Sequence, residues 1–302
     1  MKEKIIIDCD PGVDDALTIA IALLNPKIEV LGITTVSGNK DLETTTINAL
    51  KILEYFKRSD VPVYKGLSKP LQRDLFIPPD DTSHGKDGLG DCGLGFPNVF
   101  PKENAIEFIK DQIRRNPKEI TLFGIGPLTN IATVLKEIDS TLIKQIYIMN
   151  GAFQVKGNQT EFSEYNSFID PEAADIVYNK NVPIKAVGLD ATNLIGMSRE
   201  EYERIGSLYK SPLAEFFARV YKKAFYREEK ELYVVFWDIL TIFWFLYPNI
   251  FSEKRGSVRV ETQGEKSGMT IFHEGKGNIE IATGIDQSKF FDIFTNLLKN
   301  NI

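Results

Sequence analysis

The hydrophobic pattern of the chain alternates between two periods. Short runs rich in β-branched residues occur at 5–7 and 28–36. Each is followed by a longer stretch, 16–24 and 42–56, in which apolar residues recur at helical spacing. This alternation predicts strands and helices in turn, and it is typical of a mainly parallel sheet covered by helices on both faces.

The alternation continues towards the C-terminus. It predicts further strands at 61–64, 120–123, 146–149 and 184–187, and helices at 103–115, 128–137, 171–179, 237–246 and 288–299. Residues 66–101 are rich in Gly, Pro and Asp and lack periodicity, which is usual for functional or disordered segments. Residues 198–231 read as charged helices, and 256–283 as short alternating strands.

We therefore expect an α/β fold, with residues 1–302 forming a single domain. Its core would be an open, mainly parallel, twisted sheet of Rossmann-like type, with helices on both faces and a small antiparallel C-terminal edge.

Composition narrows the function classes. The chain has 302 residues, 43% of them hydrophobic, which is enough for a large packed core. A formal net charge of -6 argues against nonspecific binding to nucleic acid or to an anionic membrane. The sequence shows neither an apolar membrane span nor a signal region, and it has two cysteines, Cys9 and Cys92. We therefore expect a cytoplasmic protein with reduced thiols.

Four aspartates stand where the first strand ends: Asp8, Asp10, Asp14 and Asp15. Open α/β sheets bind ligands just beyond the carboxyl ends of their strands. Asp14 could be the N-cap of the following helix, but Asp8 and Asp10 precede that helix. Four like charges repel one another unless a cation lies among them, and hard oxygen ligands suit Ca²⁺ or Mg²⁺. The segment therefore predicts a divalent cation site.

Other polar residues stand at matching places. Asn39 ends the second strand, where Ser-Gly-Asn alone would be an ordinary turn. A later loop offers Asn158, Glu164 and Asn166, whose donors and acceptors suit the vicinal hydroxyls of a sugar. Asp238 lies within an apolar run, where burial is costly unless the carboxylate is paired or bound to metal.

The segment Asp8-x-Asp10-Pro11-Gly12-x-Asp14-Asp15 resembles the N-terminal signature of the calcium-dependent nucleoside hydrolases of the inosine-uridine-preferring type. The resemblance continues through most of the chain. It implies hydrolysis of the N-glycosidic bond of ribonucleosides to ribose and free base, with Ca²⁺ as cofactor. It also implies a small-molecule substrate and a homodimer or homotetramer. From the acidic net charge we expect no nucleic-acid or membrane partner.

The resemblance also assigns roles to residues. Calcium would be held by Asp10, Asp15, Asp238 and the backbone carbonyl of Ile125, which stands where the family often has Thr. Asp10 would also act as general base towards a bound water, with Asp8 in support. The nucleoside would contact Asp14, Asn39, His84, Met149, Asn158, Glu164, Asn166 and Trp237.

Trp237 departs from part of the family, because several members carry a His there that protonates the departing base. A purine-specific branch has Trp at this position and stacks it on the base, so purine nucleosides are slightly favoured; the loop at His84 instead resembles the broad-specificity branch. The alternative is a core Trp on an aromatic helix. Further candidate neighbours of the base are Phe76, Tyr226, Arg227 and Tyr233.

Besides a broad or pyrimidine-preferring hydrolase, two other readings compete. A phosphatase of the haloacid dehalogenase type also has Asp-x-Asp after a strand, but it expects Thr or Val where Gly12 stands. A non-catalytic ribose- or nucleoside-binding protein is conceivable because Trp237 replaces the obvious acid. The intact aspartates argue against that second reading.

Overall fold

The computed structural model describes residues 2–79, 83–208, 211–226 and 233–300. Within these ranges the strands are β1 Glu3–Cys9, β2 Ile28–Thr35, β3 Val63–Lys65, β4 Thr121–Gly124, β5 Gln145–Met149, β6 Ile184–Val187, β7 Gly196–Ser198, β8 Tyr233–Val235, β9 Phe251–Val260, β10 Thr270–Glu274 and β11 Ile279–Ile285. The α-helices are α1 Val13–Leu24, α2 Leu42–Tyr55, α3 Ala105–Arg115, α4 Thr129–Glu137, α5 Tyr165–Ile169, α6 Pro171–Tyr178, α7 Leu189–Thr192, α8 Arg199–Leu208, α9 Pro212–Val220, α10 Lys222–Tyr226, α11 Ile239–Leu246 and α12 Gln287–Asn300.

The main sheet has nine strands in the described part of the chain, in the order β10-β9-β11-β6-β5-β4-β1-β2-β3. Pairing is parallel from β3 across to β11, and antiparallel from β11 to β9 and from β9 to β10. The predicted mainly parallel sheet with an antiparallel C-terminal edge is therefore confirmed. Because the chain leaves β1 in one direction and later returns to its other side at β4, the switch point lies between β1 and β4.

The isoleucine run of β1 explains why helices cover both faces. Successive side chains of a strand point to opposite faces. Ile5 and Ile7 belong to one buried hydrophobic cluster, with residues of α1, α9 and α11. Ile6 belongs to a second cluster, with residues of α3, α4 and α6. The strand is therefore apolar at consecutive positions, as expected for a sheet buried on both sides.

Short elements differ from the sequence prediction. The loop predicted before residue 170 contains α5, whose first backbone N–H groups are capped by the Glu164 carboxylate. The pair β7–β8 was also not predicted, because three-residue strands carry too little pattern. Residues 209–210 and 227–231 of the predicted charged helices lie outside the described ranges. No helix in the described ranges combines the length and the apolar character that crossing a membrane requires.

An aromatic cluster supports the segment that leads to Trp237 and Asp238. Phe236 is fully buried, with its ring centroid 6.1 Å from that of Phe217 in α9 and 5.7 Å from that of Phe294 in α12. The last helix therefore fixes the chain just before two candidate site residues.

Phe290, also fully buried in this cluster, has its ring 4.5 Å from that of Phe243 in α11. We expect Phe290→Ala to lower the free energy of unfolding by about 3–5 kcal/mol, because it leaves a cavity. Phe100 is 91% exposed, so Phe100→Ala should change it by less than about 0.5 kcal/mol. Chemical denaturation measures both, and equal losses would contradict the assigned core.

Candidate active site

The four N-terminal aspartates lie at the switch point of the sheet. Asp8 is the penultimate residue of β1, and its backbone carbonyl accepts the N–H of Ile125, just beyond β4, at 2.9 Å. Asp10, Asp14 and Asp15 follow in the turn and first turn of α1. The carboxylates are therefore where an open α/β sheet binds its ligands.

The turn before α1 is organised by Asp15. Its carboxylate accepts the backbone N–H of Gly12 at 3.0 Å and that of Asp10 at 3.2 Å. Gly12 is the N-cap residue, so the alternative in which Asp14 caps the helix is wrong. A Cβ at Gly12 would lie 2.5 Å from Nδ1 of His84, so glycine is what allows the imidazole to approach.

Three carboxylates converge into a group that could hold a metal ion. Oxygen atoms of Asp14, Asp15 and Asp238 lie within 4.8 Å of one another, and all three residues are buried. Oδ1 of Asp14 and Oδ1 of Asp10 are buried without a hydrogen-bond partner in the described part of the chain. Orphaned carboxylate oxygens of this kind fit a hard divalent cation, which binds oxygen ligands.

Burial changes the acidity of this group. Desolvation, reinforced by the charge of Asp15, raises the pKa of Asp10 well above its usual range. Desolvation and the neighbouring aspartates do the same to the pKa of Asp238, and they raise the pKa of Asp15 to about 7. The group therefore needs either protons or a cation to be stable, because isolated buried charges are costly.

Asp8 lies behind this group. Its carboxylate accepts hydrogen bonds from the Thr34 hydroxyl at 2.5 Å and from the Asn130 amide at 2.8 Å. Desolvation raises the pKa of Asp8 to about 7, although both hydrogen bonds oppose the shift. Asn130 is fully buried in the first turn of α4 and was not among the predicted site residues; its place just after the glycine turn that follows β4 was the available signal.

A cavity of about 250 Å³ opens beside the carboxylates. Ten predicted site residues line it: Asp14, Asn39, His84, Ile125, Met149, Asn158, Glu164, Asn166, Trp237 and Asp238. Asp8, Asp10 and Asp15 are buried and are not among the lining residues. The remaining lining residues, which were not predicted, are Pro78, Ser83, Gln159 and Tyr165.

Glu164 organises the loop that forms one side of the cavity. It is 1% exposed and accepts the backbone N–H groups of Gly151, Asn166 and Ser167 at 3.0, 2.8 and 3.1 Å. Desolvation raises its pKa to about 6, against these hydrogen bonds. Its carboxylate is therefore held rigidly at the cavity wall.

Two amides complete that side. The Asn166 amide donates to the carbonyl of Met149 at 3.0 Å and to that of Ile125 at 3.3 Å. The Asn158 carbonyl oxygen accepts the N–H of Tyr165 at 2.9 Å. The loop thus presents amide and carboxylate groups in a fixed arrangement.

His84 reaches the cavity from the irregular region. Its Nδ1 accepts the backbone N–H of Val13 at 3.2 Å, and desolvation lowers its pKa. A neutral imidazole that accepts at Nδ1 carries its proton on Nε2. His84 is therefore an uncharged hydrogen-bond donor.

The candidate neighbours of the base divide into two groups. Trp237 is half-buried and lines the cavity next to Asp238. Phe76, Tyr226 and Tyr233 are 40%, 47% and 51% exposed and do not belong to the lining. Arg227 lies outside the described residues.

This fold is that of the nucleoside hydrolases. The family model "Inosine-uridine preferring nucleoside hydrolase" matches residues 5–292. The chain belongs to this family, and it is accordingly an enzyme of the ribonucleoside hydrolase class.

Individual relatives cover the whole length. The chain is 39% identical to a "Pyrimidine-specific ribonucleoside hydrolase RihA" of Shewanella sp. (strain ANA-3), over 99% of this chain and 96% of the relative. Identity to the protein of the same name from Salmonella paratyphi B is 37%, over 99% of both chains. Among solved structures, a "Plant nucleoside hydrolase" matches with a TM-score of 0.89 at 31% identity, over 100% of this chain and 99% of that one. A "Purine-Preferring Ribonucleoside Hydrolase from Gardnerella vaginalis" matches with a TM-score of 0.90 at 30% identity, over 99% and 98%.

The raised pKa values of Asp8 and Asp15, about 7 against 3.8 for an ordinary aspartate, set the pH dependence of stability without metal. A raised pKa means that the folded protein binds more protons, so stability is lost as pH rises. With a chelator present, we expect the Tm to fall between about pH 4 and pH 7, the interval from the unfolded to the folded pKa of these groups.

The Asp15→Asn variant should show a smaller fall in Tm over this pH range than the wild type, because one of the two carboxyl groups no longer titrates. Thermal unfolding followed by circular dichroism measures both proteins. A Tm that rises over this range would show that the carboxylates are not held as described.

Proposed function

We propose that the enzyme uses Ca²⁺ to hydrolyse the N-glycosidic bond of ribonucleosides, giving ribose and a free base. The observation that carries the proposal is the buried group of Asp14, Asp15 and Asp238 at the wall of a cavity lined by amides and a second carboxylate. Hard oxygen donors favour Ca²⁺ over zinc, and the amides suit the hydroxyls of a ribose.

Asp10, Asp15, Asp238 and the carbonyl of Ile125 would hold the cation, as the family resemblance implies. Asp14 shares one group of oxygens with Asp15 and Asp238, and it lines the cavity, so it can also reach the sugar. When bound, Ca²⁺ would neutralise the clustered charges and lower the pKa of a bound water.

Asp10 acts as the general base in this proposal. Its Oδ2 accepts the backbone N–H of Asn39 at 2.7 Å, whereas its Oδ1 has no partner in the described chain. One oxygen is thus held in place while the other can accept a proton from water.

The sugar is positioned by Asn39, Asn158, Asn166 and Glu164. Cleavage builds positive, oxocarbenium-like charge on the ribose. Buried carboxylates held in fixed positions stabilise that charge without reorganisation during the reaction. Glu164, with three backbone hydrogen bonds, is one such group.

The departing base would meet two side chains. His84 offers a neutral Nε2–H to an acceptor on the base, and the indole of Trp237 offers a surface for stacking. Because relatives that match over nearly the whole chain are named pyrimidine-specific, we propose uridine and cytidine as the better substrates. Purine nucleosides, slightly favoured in the sequence analysis, are the second candidate, supported by Trp237 in the cavity wall.

Three further features stay predictions: a single catalytic domain, a homodimer or homotetramer, and a cytoplasmic location.

Asp10→Asn should lower kcat by about 10²–10⁴-fold, because the variant has no group to take the proton. The fold should be retained, since the amide fills the same space. Base release measures the activity, and Asp139→Asn, at an exposed aspartate outside the cavity, is the control. Near-normal turnover by Asp10→Asn would mean that another group is the base.

A nucleoside panel tests substrate and metal together. We expect uridine and cytidine to release base faster than inosine, adenosine and guanosine, with activity lost in a chelator and restored by Ca²⁺. Faster release of base from the purine nucleosides would favour stacking of Trp237 on the base. Binding of nucleosides without any release would instead favour the non-catalytic reading.

A further inference from the structure

Tyr165 links two segments of the chain that line the cavity. It follows Glu164, begins α5 and lines the cavity. Its backbone N–H donates to Asn158, within the loop that would bind ribose. Its hydroxyl donates to the backbone carbonyl of Gly38 at 2.9 Å, in the turn after β2 that carries the cavity-lining Asn39.

Asn39, in the same turn as Gly38, forms hydrogen bonds that hold Asp10 in place. The backbone N–H of Asn39 donates to Oδ2 of Asp10 at 2.7 Å. The Asn39 amide donates to the carbonyl of Asp10 at 3.2 Å and to Oδ2 of Asp15 at 3.3 Å. A Cβ at Gly38 would lie only 2.1 Å from Oδ2 of Asp10, so the turn packs directly against this carboxylate.

The Gly38 carbonyl and the Asn39 N–H belong to one peptide group. That group is planar, so its oxygen and its hydrogen turn together. Glycine gives little resistance to such a rotation, because it lacks a Cβ. Two hydrogen bonds oppose it here: Tyr165 on the oxygen and Asp10 on the N–H.

We propose that Tyr165 is a positioning residue that fixes the Gly38–Asn39 peptide and, through it, the carboxylate of Asp10. This inference rests on the proposed function, because it assigns to Tyr165 a share in orienting the general base. The hydroxyl is used for this contact, and the ring forms part of the cavity wall.

Tyr165→Phe is the test, because it removes the hydroxyl and keeps the ring. We expect kcat to fall about three- to tenfold, the range that corresponds to one hydrogen bond, and KM to change less than about twofold. Tyr202→Phe is the matched control: its hydroxyl also donates to a backbone carbonyl, that of Ala218, but it lies outside the cavity lining. The control should keep the wild-type kcat.

A double-mutant cycle shows whether Tyr165 acts through Asp10. If it does, Tyr165→Phe should cause no further loss in the Asp10→Asn background, since the group that it positions is already disabled. An equal loss in both backgrounds would overturn the proposal. An unchanged kcat in Tyr165→Phe would also overturn the proposal. If KM then rose, the hydroxyl would serve substrate binding.

Amide hydrogen exchange separates this inference from the proposed function, because it needs no substrate. Tyr165→Phe should speed exchange of the Asn39 amide, and Tyr202→Phe should not. Unchanged protection in Tyr165→Phe would overturn the inference even in an active enzyme. Absence of base release by the wild type, with faster Asn39 exchange in Tyr165→Phe, would overturn the proposed function alone.

Discussion

The structure depends on the burial of several carboxylates at one end of a parallel sheet. Asp10, Asp15 and Asp238 are almost completely buried, and together with Asp8 they lie where β1 meets the following turn and helix. Without compensation this arrangement would be unstable, because each buried charge repels the next. Backbone N–H groups at the start of α1 and in the Ser37–Asn39 turn compensate for part of it. The remaining negative charge must be neutralised by protons or by a cation. The same uncompensated charge gives the site its chemistry.

The helices on the two faces of the sheet support the carboxylates in different ways. On one face, α1 and the aromatic cluster of α9, α11 and α12 fix the segment that carries Trp237 and Asp238. On the other face, Asn130 of α4 holds the Asp8 carboxylate and also donates to the carbonyl of Thr35. The carboxylates are therefore positioned by packed elements, and the loops complete the cavity around them.

The sequence predicted those parts of the site whose pattern is local. A run of β-branched residues that stops at a carboxylate identifies the end of a strand, so Asp8 to Asp15 could be placed before the structure was known. The dense polar loop from Asn158 to Asn166 could be assigned to the cavity for a similar reason. The partners of these residues could not be predicted, because they depend on tertiary contacts. Asn130 meets Asp8, and Tyr165 meets Gly38, across long stretches of chain. The helix α5 depends on a single cap, and β7 and β8 depend on each other.

The assembly of the carboxylate group from distant parts of the chain has a consequence for biogenesis. Asp14 and Asp15 are synthesised early, but Asp238 can join them only after most of the chain has been made. Contacts of such long sequence separation slow folding, because the entropy cost of closing a long loop precedes the gain from the contact. A cation held by both Asp15 and Asp238 would bind the finished fold and not the unfolded chain, and so would draw the folding equilibrium towards completion. Occupancy of the site would then report that folding is complete. Partly folded chains would be inactive because their carboxylate group is incomplete.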